Sequence, residues 1–308
     1  MRKVLAAELE KIMEENEKVV IINADLAKAA ALSNLYQKFP KRCFNVGVAE
    51  QNMASIAAGL SSYGFIPFIF TFTPFATRRI CDQIAVSICY SKQNVKIFGL
   101  DPGITATNNG GTHMSFEDVG IIRSMPQTTI FEPCDEIQIK KSLKQILNYK
   151  SMIYVRIFRK GNIKIFDENN CEFDLMKASI IKNGSDISIF CTGIMVEEAL
   201  KAYEVLKNKN ISAEIIDVHT IKPLDSKTIL SSIKKTKKAV VAENHNKFGG
   251  LFSAICELAA ENFPVPIKYV AVEDEFGQVG DLEFLKKYYK LTDENIVEKA
   301  LSLVELVG

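Results

Sequence analysis

Residues 44–70 read FNVGVAEQNMASIAAGLSSYGFIPFIF. A short apolar segment leads into a run rich in small residues over about 50–62, which reads as a helix able to pack closely on a neighbour. FIPFIF at 65–70 then reads as a buried strand. One carboxylate, Glu50, stands where that helix begins. Local physics alone makes it a first-turn acid favoured by the helix dipole, worth about 0.3–1 kcal/mol.

The same alternation continues outward. KVVIINA (18–24), NVKIFGL (94–100), TTIFEP (128–133) and MIYVRIF (152–158) are strand candidates separated by helical patterns. CDEIQIKKSLKQILNYK (134–150) is one such helix, with Asp135 as its N-cap. Near-continuous apolar strands alternating with helices predict an α/β fold whose parallel sheet is covered on both faces. The texture then changes. KGNIKIFDENNCEFDLMKASIIKNGSD (160–186) is polar and aperiodic, and reads as a linker with a hairpin. A second alternation follows, from ISIFCTG to IKYVAV. Two α/β domains are therefore expected, at 1–165 and 180–308, the second the smaller.

Composition excludes several classes. Lysine plus arginine number 38 against 37 aspartate plus glutamate, so no charge excess points to nucleic acid or an anionic membrane. No apolar run reaches the roughly 20 residues that a membrane span needs. The start, MRKVLAAELEKIMEENEK, reads as an amphipathic helix and not as a signal peptide. Seven cysteines without a CxxC pair suit reduced thiols in the cytoplasm, with neither a disulfide framework nor a zinc site.

Two further segments carry candidate chemistry. IFTFTPFATRR (69–79) places Phe72 and Phe75 three apart, with Pro74 at an expected helix start; such spacing commonly marks core. GLDPGITATNNGGTHMSFEDVG (99–120) is a long glycine- and asparagine-rich loop containing His113, one of three histidines. Loops at the carboxyl ends of parallel strands are where α/β proteins place ligands.

GVAEQNMASIAAGL, TFTPFATRRICDQI, GGTH, FEDVGIIRSMPQTTIFEPCDE and DVHTIKPLD occur in this order along the chain. In them the sequence resembles the pyrimidine-binding and C-terminal domains of transketolases, thiamine diphosphate enzymes that transfer two-carbon ketol units. The resemblance implies that Glu50 hydrogen-bonds N1′ of the cofactor's aminopyrimidine, a proton exchange that activates the thiazolium carbon for attack on a ketose. A carboxylate withdrawn from water shares a proton readily with such a ring nitrogen. It further implies that Phe75 stacks on the aminopyrimidine, with Phe72 beside it. Asp25 would lie near the thiazolium, and His113 would face the substrate's first hydroxyl, where an imidazole can shuttle a proton. His219 and His245 read as structural.

The family's diphosphate domain carries a GDG motif and holds Mg2+ through oxygen ligands. GDG does not occur in this sequence; GQVGDLEF (277–284) lies in the wrong domain and lacks the second glycine. The implied assembly is a split transketolase. A separate N-terminal subunit would supply the GDG domain and the metal ligands, and unlike chains would build a heterotetramer. No metal ligand is assigned to this chain.

The substrate-facing positions depart from the family. Its sugar-phosphate pocket uses two arginines, a serine and a histidine. Arg2 and Arg159 fall at the arginine positions, Ala29 at the serine and Asp101 at the histidine. An acid of the family that reads the C2 hydroxyl becomes Asn109. Exchanging a potential cation for Asp101 opposes a phosphate, since one unit-charge contact at 4 Å is worth about 4 kcal/mol at an effective dielectric near 20. Two readings of the substrate stand: a ketose with an aldose or keto-sugar acceptor, one of them non-standard (nucleotide-linked, or unusually phosphorylated or sulfonated), or the family's ordinary sugar phosphates in a rearranged pocket. The alternatives are the beta subunit of a 2-oxo acid dehydrogenase, against which GGTH and FEDVGIIRSMPQ argue, a 1-deoxyxylulose-phosphate synthase, and a non-catalytic transketolase-like binding subunit.

Overall fold

A computed structural model describes residues 1–159, 164–169 and 171–305. The first sheet contains β1 (Val19–Asn23), β2 (Cys43–Asn45), β3 (Ile66–Phe72), β4 (Lys96–Leu100), β5 (Thr128–Phe131) and β6 (Met152–Ile157). The second contains β7 (Ser179–Lys182), β8 (Ile187–Cys191), β9 (Ala213–Asp217), β11 (Ala239–Asn246) and β12 (Ile267–Val272). β10 (Thr220–Lys222) comes from the second half of the chain, yet adds antiparallel to β5 at the edge of the first sheet. The sheet orders are β10-β5-β6-β4-β3-β1-β2 and β12-β11-β8-β9-β7. All neighbours are parallel except β10 with β5 and β7 with β9.

Strand alternation divides the core. Ile21, Phe68, Phe70 and Phe98 pack on one face with Leu5, Leu9 and Met13 of α1 (Arg2–Glu15) and Ile139, Leu143 and Ile146 of α5 (Glu136–Asn148). Ile22, Ile69 and Ile97 face the other way, onto Met53, Ala54 and Ala57 of α3 (Glu50–Ser62). Both faces are covered, which is why the strands read as unbroken apolar runs. The small residues of α3 let it lie close to β3. Asp135 caps α5, accepting hydrogen bonds from the backbone N–H of Ile137 and Gln138. The remaining helices are α2 (Ser33–Lys38), α4 (Asp118–Arg123), α6 (Met195–Asn208), α7 (Ser226–Thr236), α8 (Leu251–Asn262), α9 (Leu282–Tyr288) and α10 (Asp293–Val304). None is long and apolar enough to cross a membrane among the described residues.

Two local readings change. Pro74 opens a turn, not a helix; a 3-10 turn at Arg78–Ile80 and a π-helix at Gln83–Tyr90 follow. The stretch 160–186 shows no hairpin among its described residues: β7 pairs instead with β9, and residues 160–163 and 170 lie outside the described residues.

The two halves are fastened by the 99–120 loop. Asn244 of β11 accepts the N–H of Ile104 at 3.0 Å and donates to the carbonyl of Pro102 at 2.9 Å. Gly103 lies between them at φ +52°, where a Cβ would stand 2.1 Å from Asn244 Oδ1. Only glycine fits that approach.

Two buried titratable groups lie on the same seam. Asp217 accepts a hydrogen bond from Gln138 Nε2 at 2.6 Å, and burial pushes its carboxyl from 3.8 up to about 8. Burial pushes the His219 imidazole from 6.5 down to about 4. Between about pH 4 and 8 the folded chain holds a proton on Asp217 that the unfolded chain releases, so this group's stabilisation is lost as pH rises. His219 acts oppositely between about pH 4 and 6.5, where the unfolded chain binds the extra proton. The two oppose each other in the lower window; above about pH 7 the Lys96 ammonium, which burial pushes from 10.5 down to about 7, opposes Asp217 in its turn, because there the unfolded chain binds the extra proton. Asp217→Asn is expected to make the change in melting temperature from pH 6.5 to 8 more positive than in wild type; an unchanged slope in the variant would remove Asp217 from the pH dependence.

Candidate functional site

Glu50, Phe72, Phe75, Asp101, His113 and Arg159 gather at the carboxyl ends of the first sheet's strands. Glu50 is the first residue of α3 and is 4% exposed. Its Oε1 accepts a hydrogen bond from Arg79 Nη1 at 2.9 Å. The same guanidinium lies over Phe75, 3.7 Å from the ring centroid. Phe75 meets Phe72 edge-on at 6.3 Å, and the His113 ring closes the group at 5.2 Å from Phe75 and 5.6 Å from Phe72. His113 Nδ1 is hydrogen-bonded to Thr112 Oγ1 at 2.9 Å. Arg78 pairs with Glu117 at 2.8 Å and thereby ties the loop bearing His113 to the 3-10 turn.

A second group adjoins the first. β4 and β6 are neighbours with Leu100 opposite Ile157, so the residues just beyond them emerge side by side. Asp101 is buried and pairs with the Nε of Arg159, whose backbone N–H also donates to Asp101 Oδ1 at 3.0 Å. Burial raises the Asp101 carboxyl above its ordinary range, against the opposing pull of Arg159 and Arg2. The Arg159 guanidinium stands 5.0 Å from the Phe72 ring centroid. Arg2 donates from Nη1 to the carbonyl of Ala29 at 2.6 Å.

Two residues expected at the site keep other company. Asp25 is exposed, with φ 60°, and exchanges hydrogen bonds with Asn45 at 2.9 and 3.2 Å. Asn109 is exposed at the end of the 3-10 turn Gly103–Asn109. Neither makes a ring contact or hydrogen bond with the aromatic group among the described residues. His219 and His245 are fully buried among other groups, His219 against Phe131 and Phe173. Sequence reasoning missed Arg79; its signal was only the TRR string, in which nothing marks one arginine as the partner of a glutamate 29 residues away.

With this geometry established, comparison with known proteins places the chain. Residues 1–163 match the transketolase pyrimidine-binding domain and residues 176–296 the transketolase C-terminal domain. A 6-deoxy-6-sulfo-D-fructose transketolase subunit of Clostridium sp. (strain MSTE9) is 46% identical over 292 residues, covering 95% of this chain and 90% of that protein. A subunit of the apulose-4-phosphate transketolase of Phocaeicola vulgatus is 31% identical over 304 residues, covering 99% of this chain and 97% of that protein. Among solved structures, a split gene transketolase described as an inactive beta4 tetramer superposes with a TM-score of 0.90 at 34% identity, covering 99% of this chain and 98% of that one. This chain is a member of the transketolase family, built from the family's pyrimidine-binding and C-terminal domains.

Proposed function

We propose that this chain is the pyrimidine-holding half of a two-chain transketolase. A separate subunit would supply the GDG diphosphate domain and the Mg2+ ligands, within a heterotetramer. The observation that carries this reading is the position of Arg79: a flat cation that donates N–H to Glu50 and lays its face on Phe75. A protonated aminopyrimidine is also flat, cationic and N–H-bearing, so Glu50 and Phe75 fit the ring that the family implies.

When bound, thiamine diphosphate supplies a nucleophilic ring carbon and an electron sink for carbon–carbon cleavage. Glu50 would hold the shared proton at its Oε1 against N1′ of the ring. Phe75 would supply the stacking face, and Phe72 would help keep water from it. His113, with Nδ1 engaged by Thr112, would present Nε2 to a substrate hydroxyl and accept or return its proton. Arg159 and Arg2 would hold the anionic tail of the sugar. Asp25 and Asn109, both exposed, would face the thiazolium and the sugar from this chain's side.

The ketose donor proposed is a sulfonated one, in line with the named substrate of the Clostridium relative. The test mixes this chain with its diphosphate-domain partner, thiamine diphosphate and Mg2+, and offers 6-deoxy-6-sulfofructose or xylulose 5-phosphate with an aldose acceptor. Ketol transfer from the sulfonated donor is expected. A mixture that binds the cofactor yet transfers from neither donor would leave a non-catalytic binding role for this chain.

Arg79 must leave both partners for the cofactor ring to enter. Its side chain is 42% exposed, so the ion pair it gives up is worth about 0.2–1 kcal/mol. Arg79→Ala is therefore expected to tighten cofactor binding by the mixture about 1.5- to fivefold by calorimetry. Weaker binding would instead make Arg79 part of the cofactor's support.

A further inference from the structure

We propose that Asp101 sets the charge selectivity of the tail pocket, favouring a singly charged sulfonate over a doubly charged phosphate on otherwise similar ketoses. This rests on the reading above that Arg159 and Arg2 face the substrate tail.

The geometry fixes Asp101 firmly. It follows β4 directly, is 2% exposed and adopts φ 55° in the left-handed region. Its own N–H donates to the carbonyl of Ile157 at 2.8 Å. Its carboxylate accepts both the backbone N–H and the Nε–H of Arg159. Such a carboxylate cannot swing aside for an incoming anion without abandoning both bonds to Arg159. Arg159 therefore meets a ligand with its Nη atoms only, and with a counter-charge already at its back.

Charge decides which ligand suits the pocket. Arg159 and Arg2 bring two guanidinium charges and Asp101 one carboxylate, and Arg2 is near enough for its charge to act on Asp101. One net positive charge remains. The other charged pairs described at the site, Arg79 with Glu50 and Arg78 with Glu117, each sum to zero charge. A sulfonate and a phosphate each offer three acceptor oxygens, so hydrogen bonding discriminates little between them. A phosphate monoester, whose second pKa is about 6, carries two charges at pH 8. Its second charge would face a buried carboxylate with no cation left over, and an unbalanced charge rejects a ligand more strongly than a missing contact.

Asp101 acts through Arg159, so it is a positioning residue, and the informative readout is a ratio. The two-chain holoenzyme is assayed at pH 8 with 6-deoxy-6-sulfofructose and with fructose 6-phosphate as donors. Wild type is expected to favour the sulfonate in kcat/KM by roughly tenfold or more. Asp101→Asn keeps the side-chain shape and tolerates a positive φ. It is expected to reduce that preference to within about threefold by improving the phosphate. A merely structural role would weaken both donors together and leave the ratio unchanged. A wild-type ratio near one, or a ratio unmoved in the variant, overturns the selector alone. Failure of both donors in a cofactor-loaded complex overturns the proposed function and the selector with it. If the variant does not fold, the wild-type ratio decides.

Discussion

Glu50→Gln is expected to lower turnover of the assembled enzyme by roughly 10²–10⁴-fold, the usual contribution of a positioned proton-transfer group. Glutamine keeps the length and shape of the side chain but cannot exchange a proton with a ring nitrogen. The fold should tolerate the change. Glu50 stands at the first residue of α3, and its partner Arg79 is 42% exposed, so the lost ion pair costs less than about 1 kcal/mol. Steady-state rates of the reconstituted pair, set beside a thermal melt, separate the two effects. A variant that retains rate within about threefold, well below the contribution expected of such a group, would remove Glu50 from the chemistry.

The second large effect concerns stability. Arg156 points from β6 into the seam between the halves and is completely buried. Its Nε and Nη2 bind Asp118 at 2.7 and 3.2 Å, and its Nη1 binds Glu132 at 2.7 Å. Nη2 also donates to the carbonyl of Asn244 at 3.0 Å, and Tyr154 donates to Asp118 at 2.8 Å. Arg156→Met would strand two carboxylates out of water, and breaking such a cluster costs about 3–5 kcal/mol. That corresponds to a drop in melting temperature on the order of 6–15 °C. Burial already holds the Glu132 carboxyl above its ordinary range against the pull of Arg156, and without that guanidinium the folded chain would keep there a proton that it releases on unfolding. The deficit should therefore grow as pH rises above the ordinary carboxylate range. Adding Asp118→Asn and Glu132→Gln should recover part of the loss; no recovery would mean that shape, not charge, sets the cost. The cluster also anchors α4, which follows the loop bearing His113, so its loss should loosen the site as well.

What could be read from sequence followed the range of the interactions. The helix at 50–62, the Asp135 cap and the alternating apolar strands depend on neighbours a few residues away, and the structure shows them at Glu50–Ser62, Asp135, β1 and β3 to β6. The aromatic group of Phe72, Phe75 and His113 joined two segments that local pattern could only offer separately. Arg156 sits inside MIYVRIF, where one charge does not disturb an apolar strand, and its partners lie 24, 38 and 88 residues away. The Asp101–Arg159 pair needed the knowledge that β4 and β6 are neighbours, because only that register brings residues 58 apart together. The crossing of β10 to the first sheet had no local signal: three residues after β9 carry too little pattern to announce which sheet they join.

A cofactor site held half by this chain and completed by a second chain is tested most directly by titration. Thiamine diphosphate, with Mg2+, is added to this chain alone, to its diphosphate-domain partner alone, and to the equimolar mixture. Saturable binding that is strong only in the mixture, and weakened there by Phe75→Ala, is the predicted result. Equal binding by the partner alone and by the mixture, untouched by Phe75→Ala, would contradict it.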